Sequence, residues 1–172
     1  MQVTTAKVLG PQDGKAGALI TCGVRFMAWG EETGGGFSLV EHPIPPRTLC
    51  APLHRHTRED EYSYVLEGRI GVIADGEVVY GEPGDLIFKP RNQWHTFWNA
   101  SDEPASLLEI ISPAGFEQFF DEMVDMPRRE DGVPAPEALA QLSARYGLEM
   151  DFEAVPAILE EHGLAFEPLA QY

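Results

Sequence analysis

Between about residue 17 and residue 112, apolar and polar positions fall into short runs broken by Gly, Pro and Asp. GALITCGVRFMAW, FSLVEH, EYSYVLEG, RIGVIAD, EVVYG, GDLIFKP, HTFWN and ASLLEII each read as β-rich segments. Asp75-Gly76, between RIGVIA and EVVY, is a two-residue hairpin signal. Many short strands joined by tight turns predict an antiparallel sandwich or barrel. After Ile111 the period lengthens. Phe116, Phe119, Phe120 and Met123 follow at i, i+3, i+4 and i+7, which places an apolar stripe on one helix face. That stripe is expected to dock on the outside of the barrel rather than to act as a lid. Pro136 ahead of Leu139, Leu142 and Tyr146, with Gly147 as a stop, predicts a second helix. A third is expected from about Val155 to His162, before Gly163. The stretch MPRREDGVPAP between the first two reads as a loop, and no internal repeat is visible.

Length makes this one domain with a sizeable core, since 172 residues is short for two. Its expected organisation is an arm with N-terminal strands (1–36), a β-barrel core (37–112) and a C-terminal helical extension (113–172). Charge narrows the partners. Twelve basic against 28 acidic residues give a formal charge of −16, which disfavours phosphate backbones and anionic lipid. No apolar run approaches the ~20 residues of a membrane helix. The stretch MQVTTAKVLG has no secretory pattern, so a cytoplasmic location is expected. Cys22 and Cys50 are then expected to be free, buried thiols.

The chemistry concentrates in HRHTREDEYSYVLEG, His54 to Gly68. Side chains two apart on a strand share a face, so His54 and His56 project together. Glu61 follows the turn TRED, and a hairpin there would return its carboxylate to the histidines. His95, in PRNQWHTFWN, is the fourth candidate. Three imidazoles with one carboxylate suit Mn, Fe, Co, Ni, Cu or Zn rather than Ca or Mg. Arg58, Glu59 and Asp60 read as a solvated turn, and His42 as an ordinary surface histidine rather than a pocket residue.

The spacing of the whole set resembles the cupin superfamily. His54, His56, Glu61 and Gly68 match its first motif, with Thr48 where the opening glycine would stand. Gly84, Pro90, His95 and Asn99 match the second motif, with Asn92 at the middle glycine position. Asn tolerates a left-handed backbone, so the turn there can survive. The resemblance implies a double-stranded β-helix, or jelly roll, holding one divalent transition metal on His54, His56, Glu61 and His95.

If His95 points inward, alternation puts Phe97 and Asn99 with it, and Trp94, Thr96 and Trp98 outward. Ser63 and Val65 then accompany Glu61, with Tyr62 and Tyr64 opposite. Cys50 and Pro52 fall on the His54 face. The expected pocket, including Cys50, Ser63, Val65 and Phe97, is mainly apolar and favours an aromatic or aliphatic substrate over a sugar nucleotide. The outward aromatics point to cover by the terminal segments and to a homodimer interface.

TGGGFSLVEH upstream and SPAGFEQFF followed by ARYGLE are similar to bacterial quercetinase-like monocupins. That likeness implies cleavage of a flavonol by dioxygen, with Glu61 as general base. Two other readings stay open. One is a metal-dependent isomerase or cyclase on a polyketide-like aromatic. The other is a non-catalytic cupin that binds a small ligand.

Overall fold

The computed structural model describes residues 5–169; the ends of the expected arm (1–4) and helical extension (170–172) lie outside the described residues. Ten strands come first: β1 (Ala16–Ala18), β2 (Gly23–Ala28), β3 (Ser38–Ile44), β4 (Leu53–His56), β5 (Asp60–Glu67), β6 (Ile70–Ala74), β7 (Glu77–Gly81), β8 (Leu86–Lys89), β9 (His95–Asn99) and β10 (Ala105–Ser112). Helices α1 (Glu117–Asp125) and α2 (Pro136–Tyr146), strand β11 (Leu148–Asp151) and helix α3 (Val155–His162) complete the described chain.

The strands form two antiparallel sheets, ordered β1-β2-β3-β10-β5-β8 and β11-β4-β9-β6-β7. This is a jelly roll with a C-terminal helical extension, as the strand pattern and motifs predict. Asp75 (φ 51°) and Gly76 (φ 84°) turn β6 into β7 with both backbones left-handed, the geometry of a tight hairpin turn. Asn92 is also left-handed (φ 65°), so asparagine holds the turn at the position where the second cupin motif has a glycine.

Three details depart from expectation. First, β4 and β5 do not form a hairpin. They belong to opposite sheets, and the turn between them carries the chain across the sandwich. Glu61 reaches the histidines by facing them from the other sheet. Second, Leu148–Asp151, read as part of the helical tail, is a strand that pairs with β4, Met150 opposite His54. Third, all five residues of β9 are buried, because its outer face is covered too. There Trp98 packs with Leu49, Val155 and Ile158 under α3, and stacks on His162 at 4.5 Å between ring centroids. Terminal cover therefore accounts for Trp98. Gly71 makes room for that indole, since a Cβ at Gly71 would lie 2.2 Å from the Trp98 ring.

Alternation elsewhere is regular. Ser38, Val40, His42 and Ile44 of β3 are buried, as are Ala105, Leu107, Glu109 and Ile111 of β10. These inward rows put three polar residues, Ser38, His42 and Glu109, among apolar neighbours.

Candidate metal centre

His54, His56, Glu61 and His95 converge: one ligand atom from each lies within 4.8 Å of all the others, and all four residues are buried. Cross-strand register explains the meeting. His54 on β4 stands directly opposite His95 on β9, and β5 brings Glu61 from the facing sheet. Backbone carbonyls set two of the rings. His54 Nδ1 donates to the Pro52 carbonyl at 2.8 Å, and His95 Nδ1 donates to the Gln93 carbonyl at 3.1 Å. A carbonyl only accepts, so in a neutral ring each bond puts the proton on Nδ1 and leaves the Nε2 lone pair for the cluster, where His95 Nε2 lies 3.1 Å from Glu61 Oε2.

His56 is the more telling residue. Both its ring nitrogens are buried without a hydrogen-bond partner, although Nε2 lies 3.3 Å from Glu61 Oε1. Leaving a buried polar atom unpaired costs about 1–3 kcal/mol, a cost that a coordinated cation would remove at one of these nitrogens. The protonation states agree. Burial holds His54 well below its ordinary pKa, and the neighbouring imidazoles of His95 and His56 add to the effect. Burial also lowers His56, to about 4. These rings are neutral at pH 7, as metal ligands must be. A divalent transition metal fits this donor set.

A buried ion-pair chain runs behind Glu61. Lys89, opposite Glu61 on β8, places Nζ 3.0 Å from Glu61 Oε2 and 2.8 Å from Glu109 Oε2. Ser63 Oγ donates to Glu109, at 2.9 Å from Oε2 and 3.1 Å from Oε1. Burial opposes the charge on Glu61, but His56, Lys89 and His95 outweigh it and hold the carboxyl well below the ordinary range. Glu109 goes the other way: burial raises it, and the charge on Glu61 adds to that against the pull of Lys89.

The cluster opens on a cavity of ≈ 80 Å³. His54, His56 and Glu61 form its polar end, and Cys50 and Phe97 line it as expected. Ser63 and Val65 are fully buried on the inward face of β5 but lie off the cavity wall, Ser63 against Glu109 and Val65 in the core with Ile70 and Leu107. Its far wall is the α1 stripe: Phe116, Phe119, Phe120 and Met123 all line the cavity. Those side chains wall the cavity instead of docking only on the outside of the barrel. Phe116 meets the His56 ring edge-on at 4.3 Å.

Two further expectations change. His42 is buried, not on the surface. It lines the cavity, and its Nδ1 donates to the Gly23 carbonyl at 2.9 Å. Glu59 is buried as well, with Oε2 3.8 Å from His56 Nδ1, and burial pushes its carboxyl up to about 7. Asp60 does behave as a surface residue, paired with Arg91 at 2.7 Å. Both cysteines are free and buried.

Comparisons with known proteins agree with this geometry. Residues 41–111 match the family model described as a cupin domain. Quercetin 2,3-dioxygenase of Bacillus subtilis is 28% identical over 96 residues, which are 56% of this chain and 28% of that protein. The tetracenomycin polyketide synthase protein TcmJ of Streptomyces glaucescens is 37% identical over 60 residues, 35% of this chain and 40% of that protein. The chain thus spans less than half the length of these two relatives. Among solved structures, the polyketide cyclase RemF from Streptomyces resistomycificus superposes with a TM-score of 0.53 at 26% identity, over 63% of this chain and 80% of that one. With the jelly roll, both motifs and the convergent ligand set in place, residues 41–111 of the chain are a cupin domain.

Proposed function

We propose that this chain is a metal-dependent enzyme for an enolisable aromatic, and that its reaction is a flavonol-type cleavage by dioxygen. One observation carries the proposal: the cluster of His54, His56, Glu61 and His95 opens on an apolar, aromatic-walled cavity that, among the described residues, no lysine or arginine lines. Such a wall gives no grip to a phosphate or a sugar nucleotide, and stacks well on a planar ring. His54, His56, Glu61 and His95 would hold the metal, which supplies Lewis acidity favouring an enolate oxygen. Phe97 and the phenylalanines of α1 would orient the ring and exclude water. Ligand pockets usually offer ~300–1,000 Å³, so at ≈ 80 Å³ the cavity must widen as a flavonol enters. The cap formed by α1 is the wall that can give way, since it is held by side-chain packing and not by a sheet ladder.

A second reading is a metal-dependent cyclase or isomerase on a polyketide-like aromatic. The similarity to TcmJ and RemF favours it. Oxygen separates the two. Protein loaded with Co or Ni is expected to consume dissolved oxygen in step with loss of flavonol absorbance. Substrate loss without oxygen uptake establishes the second reading instead. No turnover of any phenolic by fully loaded protein leaves a small-ligand-binding cupin.

A further inference from the structure

Removing the hydroxyl proton of an enol requires a base within reach of the cavity. Glu61 is poorly placed for that work. Its oxygens are already approached by His56, His95 and Lys89 at 3.3, 3.1 and 3.0 Å, before any metal takes its share. A second carboxylate lines the same cavity. Glu109 projects inward from β10, opposite Ser63 on β5, and is not among the converging ligands. Its bonds to Ser63 and Lys89 leave acceptor positions unused, because an ionised carboxylate offers about four lone-pair sites.

We infer that Glu109 takes the hydroxyl proton of an enolic substrate, with Ser63 and Lys89 as its positioning residues. This rests on the reading of the cavity as an enol-binding metal site. In the step, the substrate O–H bond breaks, its proton bonds to a Glu109 oxygen, and the electron pair stays on the enolate oxygen. Nothing is oxidised or reduced, and the protonated carboxyl can return the proton to product. Charged and titratable neighbours converge on Glu109 from three strands: Lys89 from β8, Glu61 from β5 and His42 from β3. Desolvation together with the charge of Glu61 gives Glu109 a greater proton affinity than an ordinary carboxylate, which suits a base.

The test follows the proton itself. Acetylacetone, a small enol, is titrated calorimetrically into zinc-loaded protein in two buffers of different ionisation enthalpy. The parent is expected to bind it without releasing a proton to the buffer. Glu109→Gln is expected to release close to a whole proton, with unchanged zinc content, and to lose about 10²–10⁴-fold in turnover of any enolic substrate. Equal proton release by parent and variant would overturn the assignment. Should the amide variant not fold, the infrared difference spectrum of the parent on binding serves in its place. It is expected to gain a carboxylic acid C=O band that shifts in Glu109→Asp, and absence of that band overturns the inference. Failure of zinc-loaded parent to bind acetylacetone at all would instead refute the enol-binding reading beneath it.

Discussion

Lys89 balances the buried charges. Its side chain is fully buried, and among the described residues it is the one cation that pairs with both the ligand Glu61 and the cavity carboxylate Glu109. Burial disfavours the ammonium, yet the two carboxylates outweigh that and raise its pKa above the ordinary lysine value. Lys89→Met, which nearly conserves volume, leaves two buried anions without their cation. Breaking a buried pair in this way costs about 3–5 kcal/mol, to be measured by urea unfolding of metal-free protein. Unchanged stability would mean that the carboxylates are neutral in the fold. Neither Lys89 nor Glu109 is one of the residues whose spacing marks the metal site. The signal for Glu109 was present: in ASLLEII the glutamate occupies the inward register with Ala105, Leu107 and Ile111. His42 carries the same signal, in register with Val40 and Ile44. A polar residue on an apolar face is readable from one strand. Its partner across the sheet is not, because pairing such as that of Glu61 with Lys89 is set by the fold as a whole.

At the scale of elements, helix ends were the most legible part of the chain. Pro136 and Gly147 bound α2, and α3 runs from Val155 to His162 as the spacing predicts, with Gly147 (φ 67°) and Gly163 (φ 63°) left-handed at the C-termini. The role of α1 was harder to read. Periodicity shows that Phe116, Phe119, Phe120 and Met123 face something apolar. It does not say whether that is the outside of a barrel or an internal cavity, and in the structure they line the cavity. Strand β11 was missed because LEMD has no alternation to mark it; it forms because β4 offers an unpaired edge. The turn TRED suggests a hairpin but crosses between sheets, for a related reason. Sequence locates a reversal, but only the packing of two sheets decides whether the chain returns to the same sheet or crosses to the other.

For the whole molecule, one face lacks the cover that α3 gives to Trp98. Tyr64, Leu66, Leu86 and Phe88 remain between 39% and 58% exposed on β5 and the edge strand β8. They are cross-strand neighbours, Tyr64 opposite Leu86 and Tyr62 opposite Phe88, and the last two rings stack at 4.7 Å. A contiguous apolar face of this kind marks an association surface. We propose that a second copy of the chain covers it. Light scattering at micromolar concentration is expected to give twice the chain mass for the parent and the single-chain mass for Phe88→Glu. A monomeric parent would contradict the dimer.

The central claim is the metal centre, because the enol chemistry, the role of Glu109 and the identity of the cavity all depend on it. His56 tests it best, since both its ring nitrogens are buried and unpartnered without a cation. Elemental analysis of purified protein is expected to find about one transition metal ion per chain in the parent, as for a site with four protein ligands. His56→Ala removes one ligand of four and is expected to carry far less. Equal metal content in parent and variant, with both folded, would contradict the account.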